Sequence, residues 1–163
     1  MVFVFFIAFI VILRIAELLL SKMNELWLLQ HGAVEYGKRH YLLIVAMHIL
    51  FLISLLLEYD IQQPSKYSSS FLIFYLVLLA LKVWVISSLG KFWNTKIFHI
   101  TGFPLIKKGP YKYIKHPNYI IVIAEIAVIP LIFHLFYTAV IFTLLNAILL
   151  SVRITEENKA LEQ

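Results

Sequence analysis

Four long apolar blocks limit what this chain can become, at residues 2–20, 41–58, 71–90 and 119–152. Crossing the hydrocarbon of a bilayer takes about 20 mainly apolar residues, so each of the first three blocks reads as one transmembrane helix. The fourth would make ~51 Å of straight helix, too long for a single crossing. Pro130 and His134 stand near its middle, and proline disrupts a helix interior. The spacing predicts a helical hairpin turning around 130–137, with arms at about 118–133 and 136–153. Each arm is short for a full span, which fits a tilted or partly re-entrant hairpin.

The expected fold is an all-α integral membrane protein. It forms a single domain over residues 1–163, with about five transmembrane helices, the last two a hairpin. A composition 62% hydrophobic agrees, since soluble domains are 45–50% apolar even with glycine counted. Met1–Leu13 lacks the basic leader and small-residue cleavage site of a signal peptide, so it reads as part of a retained first helix. Gly90 is placed to close the third helix as a C-cap. None of the five glycines falls inside an apolar block, so packing must use large side chains.

The connections between the blocks carry the charge. The 21–40 connection has three Lys or Arg, the 58–70 loop one, the 91–118 loop six, the 130–137 turn none and the 153–163 tail two. Basic residues collect on the cytoplasmic side, so this alternation predicts a multi-pass protein of the cell membrane. Its N-terminus lies outside, and the 91–118 loop and C-terminus are cytoplasmic. The net charge of +5 is therefore read as topology and not as nucleic-acid binding. The absence of cysteine excludes disulfides, thiolate metal sites and a cysteine nucleophile. The six histidines show no metal-binding spacing, and no metal is expected.

Within the blocks, Arg14 and Glu17 are spaced to pair on one helical face. Such charges inside a membrane are either functional or structurally paired. Lys82 can extend its ammonium toward the interface. His48 and His134 read as hydrogen-bonded packing residues. Glu125, the one carboxylate of the last block, either reaches a site or pairs with a Lys or Arg of another helix; it is assigned here to the acceptor side.

The chemistry concentrates in Lys107 to Tyr119, which reads Lys-Lys-Gly-Pro-Tyr-Lys-Tyr-Ile-Lys-His-Pro-Asn-Tyr. Gly109-Pro110 forces a turn. Pro117 holds His116 extended and suits the first turn of the following helix. His116 therefore stands at a helix N-terminus, where free N–H groups and the positive dipole end favour an anion. Tyr111, Tyr113 and Tyr119 offer aromatic faces that suit an adenine or a sulfonium cation. Tyr111, Tyr113 and the lysines alone also fit a belt of interface anchors. The His-Pro-Asn-Tyr run followed by a membrane carboxylate is harder to read that way.

The pattern Gly109-Pro110-Tyr111-x-Tyr113-x-x-His116-Pro117-x-Tyr119, with Glu125 beyond it, resembles the signature of the isoprenylcysteine carboxyl methyltransferases. These are integral membrane enzymes that use S-adenosylmethionine. Arg153-Ile-Thr-Glu156-Glu157-Asn-Lys-Ala-Leu161 resembles the family's Arg-x-x-x-Glu pattern after its last membrane hairpin. The two motifs cover residues 90–163 in the family's order. The whole chain, with Gly-Ala-Val-Glu-Tyr-Gly-x-x-His-Tyr at 32–41, is most similar to a small bacterial branch that resembles alkylpyrone O-methyltransferases. It departs from the family at Lys115, where Arg is usual, at Ile121, where many members have Gly, and in its short tail.

The resemblance implies a cofactor site of Tyr111, Tyr113, His116, Pro117, Tyr119 and Glu156. It implies a catalytic role for Arg153 and Glu157, with Arg153 and Glu125 on the acceptor side. Either glutamate of the 156–157 pair would bind the cofactor's ammonium or orient Arg153. The implied activity is methyl transfer from S-adenosylmethionine to a lipophilic acceptor, first an alkylpyrone hydroxyl and second a prenylcysteine-like carboxylate. A type III polyketide synthase is the implied pathway partner. Two other readings are a membrane NADPH-dependent reductase of the sterol-reductase type, which carries a similar His-Pro-Asn-Tyr run, and a non-enzymatic membrane scaffold. The Gly-Pro-Tyr lead-in and the Arg153/Glu157 tail favour the methyltransferase.

Overall fold

A computed structural model describes residues 1–104 and 106–161. Leu105, in the apolar dip of the long loop, and the last two residues of the expected tail lie outside the described residues. The described residues form five α-helices: α1 (Val2–Gln30), α2 (Lys38–Gln62), α3 (Ser69–Leu89), α4 (Pro117–Leu131) and α5 (Phe136–Leu161). Four of them are long and apolar enough to cross a membrane, and α4 is a shorter apolar helix. The chain is an all-α, multi-pass membrane protein. Many large apolar side chains, such as Phe5, Leu19 and Ile73, are exposed on its flanks, as lipid contact requires.

Several helices run further than hydropathy alone indicates. The polar residues Ser21, Asn24 and Glu25 do not end α1, which continues to Gln30. They face inward and are buried. The Ser21 hydroxyl donates to Asn94 Oδ1 at 2.9 Å, and the Asn24 amide donates to the Trp93 carbonyl at 2.7 Å. Helix α1 thereby anchors the long loop that follows α3. Glu58 likewise does not end α2. It accepts the backbone N–H groups of Tyr137 and Thr138 at 3.1 and 2.7 Å, capping the start of α5. At the other end of the chain, α5 continues through Arg153 to Leu161, so the expected tail is the last part of a membrane helix.

The hairpin turn falls at residues 132–135. Helix α4 passes through Pro130 and stops one residue later. The Pro130 carbonyl then accepts N–H bonds from Phe133 and Leu135, both at 3.0 Å, and His134 takes a left-handed backbone at φ 60°. Around this turn lies an aromatic cluster. Phe3 stacks on Tyr59 at 3.6 Å and meets Phe133 edge-on at 5.0 Å. The same end holds the α2–α3 connection, through Ser68 N–H to the Ile132 carbonyl at 2.7 Å.

At the opposite end a two-stranded antiparallel sheet pairs β1 (Val34–Tyr36) with β2 (Ile97–His99). No apolar periodicity announced it. The sheet binds the α1–α2 connection to the long loop, and the last turns of α5 pack against both strands. Lys96 locks this arrangement with ion pairs to Glu25 at 3.1 Å and Glu35 at 3.7 Å. Burial disfavours its charge, but those two carboxylates win and hold its pKa above the usual lysine value. All three basic segments therefore share one end of the bundle, and eleven of the fourteen Lys and Arg lie there.

Candidate functional site

The loop after α3 is shaped to lie against the bundle. Gly90 ends α3 at φ 55°. Gly109 takes φ 51°, and a Cβ there would collide with the Ser88 hydroxyl on α3. The 3-10 turn Gly109–Lys112 is thereby pressed onto α3. His116 follows as the N-cap of α4, with Pro117 buried at the first helical position. This places Tyr119 on the first turn of α4, facing α5.

On α5, Ala139, Phe142, Asn146, Leu150 and Arg153 are buried at steps of three and four, and Glu157 continues that stripe. Arg153 and Glu157 therefore share a face and meet Tyr119. Arg153 Nε donates to the Tyr119 hydroxyl at 2.8 Å, and that hydroxyl donates to Glu157 Oε2. Glu157 Oε2 is also 3.6 Å from His116 Nδ1. The His116 ring stacks on Tyr119 at 5.3 Å between centroids and 16° between planes. The Arg153 guanidinium lies 5.4 Å from the same tyrosine ring. Four residues that the sequence singled out thus form one connected group.

Two cavities meet at this group. The polar one is lined by His116, Asn118, Tyr119, Arg153 and Glu157, and opens past Tyr111, Lys115 and His116 into a wider cleft of about 400 Å³. Within its lining, His116 Nε2 and Asn118 Oδ1 are buried and have no hydrogen-bond partner among the described residues. One can accept or donate according to tautomer and the other accepts, so both fit a polar ligand. Burial, and then the nearby Glu157 carboxylate, raises the Tyr111 hydroxyl above its ordinary pKa, so it stays a neutral donor.

The second cavity has a volume of about 360 Å³ and a largely apolar wall. Val11, Ile15 and Leu18 of α1 face Ile44, Val45 and Ile49 of α2 across it. It reaches inward to Tyr119, Asn146 and Arg153, and Trp93, Asn94, Asn118, Tyr119 and Arg153 line both cavities. Tyr119 and Arg153 thus stand in the wall between a polar cleft and an apolar crevice.

Two expected site residues stand elsewhere, and a third lies at the rim of the cleft. Glu125 does not line the acceptor-side cavity. It is 1% exposed and bonds Arg14 at 3.0 Å and Lys82 at 2.8 Å. Glu17 completes the cluster, at 2.8 Å from Arg14 and 2.6 Å from Lys82. The alternative of a paired carboxylate describes it, and Lys82 is buried instead of reaching the interface. Glu156 turns away from both cavities and pairs with Lys159 at 2.9 Å, because one step along a helix rotates a side chain by about 100°. Tyr113 is 79% exposed at the rim of the cleft.

Sequence reasoning missed Trp93, Asn94 and Asn118 as wall residues. Asn118 sits inside the singled-out segment, and its place on the first turn of α4 was a usable signal. Trp93 and Asn94 reach the site only through their bonds to α1, which no local pattern shows.

A family model described as the isoprenylcysteine carboxyl methyltransferase (ICMT) family matches residues 71–163. That span contains α4, α5 and every member of the connected group. The chain is 43% identical over 159 residues to an uncharacterized protein, YpbQ, of Bacillus subtilis (strain 168), covering 96% of this chain and 95% of that one. It is 29% identical over 157 residues to an uncharacterized protein of Haemophilus influenzae, covering 94% of this chain and 91% of that one. No solved structure matches it.

Proposed function

Because the chain belongs to the isoprenylcysteine carboxyl methyltransferase family, we propose that it moves a methyl group from S-adenosylmethionine to an oxygen of a lipophilic acceptor. The family makes it a membrane methyltransferase. The observation that carries the finer reading is the shared wall: Tyr119 and Arg153 face a polar cleft on one side and a lipid-like crevice on the other. A water-soluble cofactor and a bilayer-soluble acceptor need such a boundary.

When bound, S-adenosylmethionine supplies a methyl group activated by its sulfonium. His116, Asn118, Tyr111 and Glu157 are the residues that would hold it, using the unpartnered His116 and Asn118 atoms and the Glu157 carboxylate. Arg153 binds the acceptor oxygen and keeps it anionic. Its geometry is fixed by the Tyr119 hydroxyl, which Glu157 fixes in turn. Transfer from a sulfonium to an oxyanion is an in-line displacement that needs alignment and exclusion of water more than a strong base. A carboxylate or acidic enol acceptor is already ionised near neutral pH, which suits a site with no base-and-nucleophile pair.

The acceptor placed first is an alkylpyrone hydroxyl, with a type III polyketide synthase as its source, and second a prenylcysteine-like carboxylate. The first rests on the chain's resemblance to the alkylpyrone branch. The lipophilic tail would enter between α1 and α2. The concentration of basic residues at the site's end of the bundle supports a cytoplasmic loop and C-terminus, with the N-terminus outside.

Isothermal titration of the detergent-solubilised protein, with labelled-cofactor assays on lipophilic enols and acids, tests the reading. Binding of S-adenosylmethionine and a labelled product are expected. Tight NADPH binding without S-adenosylmethionine binding would overturn it in favour of a reductase.

A further inference from the structure

Asn146 belongs to the buried stripe of α5, two turns before Arg153. It is 1% exposed, and neither its amide nitrogen nor its carbonyl oxygen has a hydrogen-bond partner among the described residues. Few buried polar side chains are left with both ends unmade, because the lost hydration is not repaid. The side chain lines the apolar cavity, as do Arg14, Glu17 and Lys82.

These groups share one depth. Glu125 stands six residues beyond Tyr119 on α4, and Asn146 stands seven before Arg153 on the antiparallel α5. Since Tyr119 and Arg153 touch, both lie ~10 Å along the helices from that contact. The charges at this depth cancel. Arg14 and Lys82 each bond both Glu17 and Glu125, at 2.6–3.0 Å, leaving two cations with two carboxylates. The cluster carries no net charge to hold a free ion, and Glu125 Oε1 is buried there without a hydrogen-bond partner among the described residues as well; the Asn146 amide offers both a donor and an acceptor to a neutral group.

We propose that Asn146 forms a second recognition point in the acceptor cavity, for a neutral hydroxyl or carbonyl carried ~10 Å from the oxygen that Arg153 holds. The acceptor is then an oxygenated amphiphile and not a plain hydrocarbon chain with one reactive head. Asn146 is the specificity-determining residue for that oxygen. The inference rests on the reading that this cavity takes the methyl acceptor.

The full-length protein in lipid nanodiscs is titrated with two probes, a long-chain alkylpyrone and its analogue bearing a hydroxyl midway along the alkyl chain. Intrinsic tryptophan fluorescence, to which Trp93 in the cavity wall contributes, reports binding. Wild type is expected to bind the hydroxylated probe about tenfold more tightly, the effect of one hydrogen bond made in place of one left unmade. Asn146→Leu removes the preference, and Asn146→Gln, which keeps the amide one methylene further out, retains part of it. Equal affinities in wild type, or a preference that survives in Asn146→Leu, overturns the proposal. Should Asn146→Leu fail to fold, as read from thermal unfolding, the wild-type comparison decides. Labelled methyl transfer is followed in parallel. Methylation without preference sinks this proposal and spares the methyl-transfer reading; preference without methylation sinks the methyl-transfer reading and, with it, the assignment of the bound molecule as acceptor.

Discussion

Arg153 Nε and the Tyr119 hydroxyl meet at 2.8 Å, and this contact joins the last membrane helix to the first turn of α4. It is also part of the wall between the two cavities. Removing either partner should therefore affect the transfer step more than cofactor affinity.

Arg153→Ala should lower kcat/KM for methyl transfer by at least about 100-fold, the scale for losing a charged group that holds a reacting oxyanion. Tyr119→Phe should cost about tenfold, because Arg153 remains but loses one orienting bond. Steady-state kinetics with cofactor titration checks both. A loss confined to cofactor affinity would move Arg153 out of the acceptor site.

Neighbouring glutamates should separate cleanly. Glu157→Gln removes the charge that bonds Tyr119 and lies beside His116, and should weaken S-adenosylmethionine binding about tenfold. Glu156→Gln breaks only a surface pair with Lys159 and should change binding less than about twofold. Equal effects in titration calorimetry would contradict the orientation of this helix turn.

The cluster of Arg14, Glu17, Lys82 and Glu125, its last two members buried, is neutral only while complete. Lys82→Met leaves two carboxylates sharing Arg14 and should destabilise the protein by about 3 kcal/mol. Adding Glu17→Gln restores neutrality and should recover much of that loss. Thermal unfolding in detergent measures the cycle, and strictly additive losses would show that the four groups do not act as a unit.

Glu58 gives a test of the opposite end. Its carboxylate accepts the N–H groups of Tyr137 and Thr138, and Glu58→Ala should cost about 1–3 kcal/mol by leaving the start of α5 uncapped at the buried Thr138. Activity per folded molecule should be unchanged, since the site lies at the other end of the bundle.

The lack of native cysteine makes orientation directly measurable. In intact cells a membrane-impermeant maleimide should label Lys66→Cys and not Lys112→Cys. The reverse pattern would invert the proposed topology.

How far the sequence carried the fold depended on where each determinant lies. Hydropathy marks spans because lipid must be met by apolar side chains along a whole helix. It misplaced helix ends wherever a polar side chain had an inward partner. Ser21, Asn24 and Glu58 look like terminators in a window of neighbours, yet their partners are 66 to 80 residues away. The β1–β2 pairing escaped for the same reason, since Val34 and His99 meet only in space.

The sequence by itself determined a helical membrane chain, the hairpin through Pro130, and the clustering of basic residues into three connections. It also marked His116, Tyr119, Arg153 and Glu157 by chemistry and motif. Only the tertiary structure decided that Glu157 faces the cleft while Glu156 faces out, that Glu125 is spent on Arg14 and Lys82, and that Asn146 lines the apolar cavity unpartnered. The reason is physical. Solvation preference acts on each residue locally and can be read along the chain. The direction of a side chain and the pairing of a buried charge are fixed by helices that the sequence keeps far apart.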